Sequence, residues 1–230
     1  MQLRFVTSHM NSESLKRLRS VLSKKVGYIV PLSYSLKPNS INIIYGDSKN
    51  KLYQYQWFTA NQVPSLPFTT DLAKVSEWQA EGAKVVARTL LNSAEGKGII
   101  VLQPDDGVVQ AKVYTKYVPK KREYRVHIFG DKVVCVLEKR KKKGIDNKNF
   151  LIQNTANGFV FCRDNVVEPE GIRELALKAR KLTNSSLVGV DIGFNEKYNY
   201  LFVIEVNTTP GFVGTTVEDY ANAIYQAHSF

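Results

Sequence analysis

Cysteine and histidine are scarce in this 230-residue chain, with two of the first and three of the second. Cys135 and Cys162 lie in apolar, strand-like surroundings without a CxxC spacing or a partnering histidine cluster. That pattern points to buried free thiols rather than to a disulfide or a zinc site. His9, His127 and His228 are scattered, and only His127, beside Arg125, keeps polar company. A satisfied structural histidine is expected there, because a general base must lie within hydrogen-bond reach of its proton. No stretch approaches the roughly 18 uninterrupted apolar residues of a membrane span. The N-terminus from Met1 to Val6 lacks the apolar middle of a signal peptide, so a cytoplasmic protein is expected. Internal repeats and low-complexity tracts are absent too. Hydrophobic residues nevertheless make up 43% of the chain. That suffices for a real core in one large domain or two interlocked lobes.

Thirty-two Lys and Arg against twenty-one Asp and Glu give a net charge of +11. The excess favours anionic partners such as phosphates, nucleic acid or acidic peptides without choosing among them. Two basic runs, Lys120–Arg122 and Lys139–Lys143, bracket the apparent strand Arg125 to Leu137. Their ordinary reading is a solvated hairpin rim.

Residues 2 to 45 read as a minimal mixed layer. It has a strand near Leu3 to Thr7 and a helix from Ser12 to Lys24 capped by Asn11 or Ser12, then short strands at Gly27 to Val30 and Ile41 to Tyr45. Pro64, Pro67 and the Thr69-Thr70-Asp71 segment form a linker in which Asp71 offers a helix N-cap for Ala73 to Glu81. β-Branched runs follow at Ala83–Ala87, Gly98–Leu102, Val108–Tyr117, Tyr124–Phe129, Val133–Leu137 and Gly158–Cys162, predicting a strand-rich, largely antiparallel middle. A helix from Pro169 to Lys181 precedes a strand pair, Leu187–Phe194 and Tyr200–Asn207, and a last helix from Val217 to His228 closes the chain.

The strand pair carries the chemistry. Alternation puts Leu201, Val203, Glu205 and Asn207 on one face, with Glu205 and Asn207 about 7 Å apart. Asn195 to Asn199 can join the strands as a hairpin, which brings Asp191 to the same face. For both carboxylates to lie on one face the opposed residue numbers must sum to an even value, as when Asp191 opposes Val203 and Glu205 sits diagonally at roughly 7 Å. Two carboxylates and an amide oxygen on an apolar pair need a cation, and an all-oxygen set suits Mg²⁺ bridging substrate phosphates.

Glu205-Val206-Asn207-Thr208-Thr209-Pro210-Gly211 resembles the E-V-N-x-x-P-G signature of the ATP-grasp superfamily, and Val190-Asp191-Ile192 resembles the acidic strand before it. Arg88 followed by Ser93-Ala94-Glu95-Gly96-Lys97-Gly98 resembles that family's basic residue and glycine-rich flap, whose backbone amides close over a triphosphate. It is not a Walker A loop, since the required spacing is missing. Tyr114 to Val118, with Lys116, Tyr117 and Val118, looks like the adenine hinge, and Glu123 stands where the family hydrogen-bonds ribose. Arg125 would point toward phosphate. Lys51 resembles the earlier family lysine on the nucleotide phosphates, and Lys139 or Arg140 and Asn154 resemble residues that contact phosphate or metal in peptide ligases. Arg88 stands where most members carry Lys, offering a planar fork in place of a point charge.

The resemblance, closest to short phage-type members, implies an α+β ATP-grasp fold whose two lobes clasp ATP. A shortened N-terminal α/β layer at 1–62 would precede a small lobe at 63–118 and a C-terminal lobe with the Mg²⁺ site at 119–230. It implies a ligase using ATP and Mg²⁺ to join a carboxylate and an amine through an acyl phosphate. A small-molecule kinase of the same fold, and a nucleic-acid-binding protein with a regulatory nucleotide site on a basic face, are the alternatives. Neither substrate nor the oligomeric state is readable.

Overall fold

The computed structural model describes residues 1–93, 96–142, 144, 153–154, 157–212 and 214–228. Among these residues the architecture is α+β, with three sheets. The N-terminal layer comprises β1 (Gln2–Val6), α1 (Glu13–Val26), β2 (Leu32–Ser33) and β3 (Ser40–Ile44), its strands parallel in the order β2-β1-β3. Ser12 caps α1 by accepting from the Leu15 N–H, and Glu13 complements the dipole in the first turn. The helix ends at Gly27 in the left-handed conformation, φ 76°. The strand expected from Gly27 is therefore replaced by a helix cap, and pairing begins only at Leu32. Leu15, Leu18 and Leu22 recur on one helix face and bury against Leu3 and Phe5 of β1 and against α5 (Thr216–His228), through Tyr220 and Ile224.

The next element, α2 (Lys51–Ala60), was not legible as a helix from its sequence. It packs Tyr55 and Phe58 on the five-stranded sheet described below rather than on the N-terminal strands, although it precedes residue 62. After the proline linker come β4 (Phe68–Thr69), α3 (Leu72–Ala80, capped by Asp71), β5 (Val85–Arg88), β6 (Ile99–Leu102) and β7 (Val113–Lys116). These four strands form an antiparallel sheet in the order β4-β7-β5-β6, with Val75 and Trp78 of α3 packed against Val85, Ala87 and Tyr114. The run from Val108 narrows to a four-residue strand. Before it, the Gln79 side chain donates to the Gln103 and Asp106 carbonyls, and the Tyr114 hydroxyl bonds the backbone of Val109 and Ala111.

The largest sheet takes β8 (Arg122–Phe129), β9 (Lys132–Lys141), β10 (Phe159–Cys162), β11 (Leu187–Asn195) and β12 (Tyr200–Asn207), all antiparallel in the order β10-β9-β8-β11-β12. One face is covered by α4 (Ile172–Arg180), which with α2 seals Tyr124, Val126, Val188, Val190 and Ile192 from water. The other face divides: α5 covers one end, and the remainder carries charged side chains. The outer edge of β12 is paired, since Ser65 bridges Val203 and the Val203 N–H donates to the Pro64 carbonyl at 2.8 Å. Cys135 and Cys162 are free thiols, half-buried rather than fully buried. No described helix is long and apolar enough to cross a membrane.

Candidate active site

Asp191 and Glu205 oppose each other directly in the β11–β12 ladder, and Gly189 opposes Asn207. The two carboxylates share a face, as the even-sum condition requires, but Asp191 meets Glu205 itself and not Val203; the ladder shift between Asp191 and Ile192, which leaves Ile204 without a ladder partner, produces this alignment. The bulge also breaks the alternation. Glu205 and Asn207 keep the face of Asp191, whereas Leu201 and Val203 turn into the core beside Val206. Direct opposition brings the two carboxylates closer than a diagonal pair, to about 4.5–5.5 Å between β-carbons. Two glycines flank Asp191 on its own face. A Cβ at Gly189 would meet the Pro210 and Arg125 side chains at 3.1 and 3.3 Å, and one at Gly193 would meet the Phe202 ring at 2.4 Å. Both positions are left empty to admit a neighbour's side chain.

Arg125 lies opposite Asp191 in the β8–β11 ladder and grips it as a fork, Nε to Oδ1 at 2.6 Å and the terminal nitrogen to Oδ2 at 2.8 Å. Its guanidinium stacks 4.3 Å from the centre of the Phe161 ring on β10. Burial works against this cation. The charge and hydrogen bonds of Asp191, with Glu205 and Glu123 beyond, outweigh burial and hold its pKa well above the ordinary value. Glu205 is paired with Lys51. The Lys51 charge, against burial and helped by Arg125 and Arg88, keeps the Glu205 carboxyl far below its usual range. Arg88, at the end of β5, brings a buried Nε that has no hydrogen-bond partner among the described residues.

Lys51 reaches β12 from the first turn of α2. Asn50 caps that turn through the Tyr53 N–H, and the Lys51 N–H donates to Leu91 at the base of the β5–β6 connection, at 3.3 Å. One turn on, the buried Gln54 amide pairs with the Val206 backbone. Its oxygen accepts from the Val206 N–H at 2.9 Å and its nitrogen donates to the Val206 carbonyl at 3.2 Å. This side chain imitates a strand neighbour and fixes α2, and with it Lys51, against the acidic strand. Two residues before Arg125 on the same face, buried Glu123 pairs with Lys139 and, at 3.3 Å, with Lys120. Burial and the Glu123 charge raise the Tyr117 pKa.

The β5–β6 connection is closed at its base by the Thr89 N–H donating to the Gly98 carbonyl at 2.9 Å. Gly96 and Gly98 have φ 81° and 71°, and a Cβ on Gly98 would meet Leu90 and Thr89 at 2.9 Å. Lys97 is exposed at the turn, while Ala94 and Glu95 lie outside the described residues. The remaining candidates stand apart. Lys116 pairs with Glu81 at 2.6 Å, and the half-buried Val118 continues the connection from β7 to β8. Strand alternation turns Arg140 away from Lys139, toward Glu138 and the carbonyls of Asp164 and Asn165. Asn154 spends its side-chain oxygen on the Asn157 N–H at 2.9 Å, in the turn before β10. Lys143 of the basic run lies outside the described residues, and Lys139 to Lys141 are the last residues of β9. His127 is buried and bonded to the Tyr220 hydroxyl at 3.1 Å, so it is structural.

Sequence alone gives no site role to Gln54, Phe161 or the glycines at 189 and 193, and shows Lys120 only as part of a basic run. Only the spacing of Gly189 and Gly193 around Asp191 carries a local signal; the others act across long separations. Asp191, Glu205 and Asn207 suit a hard divalent cation. Their donors are all oxygen, and the two carboxylates pair with the nitrogen cations of Lys51 and Arg125. Among the described residues no group of three His, Cys, Asp or Glu side chains offers a metal site. Asn207 and donors from outside the protein would therefore have to complete the shell.

Residues 84–226 match the RimK-like ATP-grasp domain. A curated relative, the ribosomal protein bS6–L-glutamate ligase of Escherichia fergusonii, is 31% identical over 146 residues. The match covers 58% of this chain, which spans only 45% of that relative's length. Among solved structures, the ATP-grasp ligase PsnB with its minimal precursor superposes with a TM-score of 0.71 at 12% identity, over 98% of this chain and 99% of the other. The D-alanine–D-alanine ligase of Bacillus anthracis superposes with a TM-score of 0.60 at 12% identity, covering 98% and 93%. At such identities the superpositions establish the fold, and the sequence match establishes more: this chain belongs to the RimK-like ATP-grasp domain family.

Proposed function

We propose that the chain is an ATP- and Mg²⁺-dependent ligase that joins a carboxylate to an amine. The observation that carries the reading is the directly opposed Asp191–Glu205 pair with Asn207 beside it, ringed by Arg125, Lys51 and Arg88. Such a ring of fixed cations around an oxygen-donor pair suits a polyphosphate and the charge that shifts as its terminal phosphoryl group moves. Asp191, Glu205 and Asn207 would hold Mg²⁺, which supplies charge neutralisation for the phosphates when bound.

In the proposed reaction a substrate carboxylate oxygen attacks the γ-phosphorus, the bond to the bridging oxygen breaks, and ADP leaves. The amine nitrogen then attacks the acyl carbon, loses a proton and expels phosphate, leaving an amide. Arg125 and Arg88 would donate to phosphate oxygens, and the Gly96–Gly98 turn would cover them. Covering the acyl phosphate matters because water would otherwise hydrolyse it. Glu123, buried between Lys120 and Lys139, is the candidate for the ribose hydroxyls, and the Lys116–Val118 segment for the adenine. One relative is named for a ribosomal protein and PsnB is also solved with a precursor peptide, so a peptide or protein is the first substrate class to try here.

The test is incubation with ATP, Mg²⁺ and pooled amino acids, amines and acidic peptides, read by mass spectrometry and ADP release. Amide product with ADP supports the ligase, whereas a stable phosphorylated product supports a kinase instead. Glu205→Gln keeps one neutral oxygen but removes a charge, and should lower ADP formation by at least ~100-fold with the fold intact. Undiminished turnover removes the assignment of the metal pair.

A further inference from the structure

We propose that Lys51 makes metal entry at Asp191 and Glu205 conditional on nucleotide: it holds Glu205 until a phosphate group draws its ammonium away. The proposal rests on the reading of this face as a nucleotide and metal site, and adds an order of events to it.

Each carboxylate already has a cation in contact, Arg125 on Asp191 and Lys51 on Glu205. Both Asp191 oxygens are engaged by the Arg125 fork, and Glu205 is engaged by Lys51 at Oε2. A divalent ion arriving alone must displace a cation and sit beside those that remain, in surroundings where burial weakens screening.

The two ion pairs differ in how readily they open. Arg125 is held by a two-point grip on Asp191, by strand pairing on both sides and by the Phe161 ring. Lys51 has one carboxylate contact at the end of a four-carbon stem, and its ammonium is a point charge that can turn its donors elsewhere. It is therefore the pair that yields. Its stem is also anchored where a phosphate would arrive, since its backbone donates to Leu91 at the root of the glycine turn and Gln54 fixes its helix to β12. A polyphosphate offers Lys51 a stronger partner than one carboxylate, and offers the unpartnered Arg88 Nε an acceptor. Release of Glu205 then frees Oε2 and removes a competing cation from beside the carboxylates. Because the two binding events share Lys51, each must strengthen the other by the same factor.

The experiment follows free Mn²⁺ by its electron paramagnetic resonance signal as protein is added. Wild-type protein should bind Mn²⁺ at least tenfold more weakly alone than when loaded with ADP, after correction for the Mn²⁺–ADP formed in solution. Equal corrected affinities overturn the proposal without any variant. Lys51→Gln and Lys51→Met should raise affinity for Mn²⁺ alone at least tenfold, while Lys51→Arg, which keeps the charge, should stay near wild type. Far-UV circular dichroism checks that each variant is folded. If the neutral variants gain nothing while Glu205→Gln still abolishes Mn²⁺ binding to the ADP-loaded protein, Lys51 does not gate the site and the site reading stands. If Mn²⁺ binding ignores both Lys51 and Glu205, the gate and the metal site fall together.

Discussion

At the scale of single residues, the site is a set of charges that make sense only in pairs. Arg125 contributes through its planar fork, since both Asp191 oxygens are satisfied at once at 2.6 and 2.8 Å. Lysine at that position would keep the charge but lose the two-point geometry and the stack on Phe161. Arg125→Lys should accordingly lower ADP formation by about 100-fold, the scale on which one positioned charge donor acts on a phosphoryl transition state. Thermal unfolding should move by only a few degrees, because a cation still neutralises Asp191. Steady-state turnover together with a melting curve separates these two consequences. A large loss of stability with normal turnover of the folded fraction would assign Arg125 to structure alone.

At the scale of elements, what the sequence revealed and what it hid follow from the range of the interactions. The β11–β12 pair was legible because alternation, a polar connection and three oxygen side chains all lie within twenty residues. The bulge at Ile204 was not, since an apolar residue reads the same on either face and only the pairing of Asp191 with Glu205 reveals the slip. Helix α2 was hidden for a related reason. Its inward face carries Gln54 beside Tyr55 and Phe58, and a polar residue in the buried row spoils the apolar period. Gln54 belongs there because its amide pairs with Val206, 152 residues away. Gln54→Leu would fill the space but leave a buried N–H and carbonyl without partners, at a cost of about 2–4 kcal/mol. In a chain of this size that corresponds to a melting temperature lowered by roughly 5–10 °C, measurable by differential scanning calorimetry. A change under about 1 °C would mean that water or a neighbour replaces the amide, and that α2 is anchored by its aromatic residues instead.

At the scale of the whole molecule, His127 ties the global stability to pH. It sits on β8 beneath α5, 1% exposed, with Nδ1 at the Tyr220 hydroxyl, which in turn donates to the Val188 carbonyl at 2.9 Å. Burial, together with the Arg125 and Arg163 charges, pushes its pKa down to about 3. The folded protein therefore keeps this histidine neutral where the unfolded chain, with a value near 6.5, takes up a proton. Protons bind preferentially to the unfolded state between those two values, so stability is full above about pH 6.5 and falls as the pH drops toward 3. Near pH 5 the loss from this one group is about 2 kcal/mol. Glu205 contributes in the same direction but lower down. Its depressed pKa, set by Lys51, costs stability only once the pH falls below its ordinary value of 4.5. Urea unfolding at intervals from pH 7.5 to 5 should thus show a falling midpoint in the wild type. His127→Asn, whose amide can keep the Tyr220 contact without titrating, should hold its midpoint nearly constant over the same range. Parallel curves for the two proteins would mean that the imidazole accepts its proton without unfolding, and that the contact between α5 and the sheet tolerates a charge.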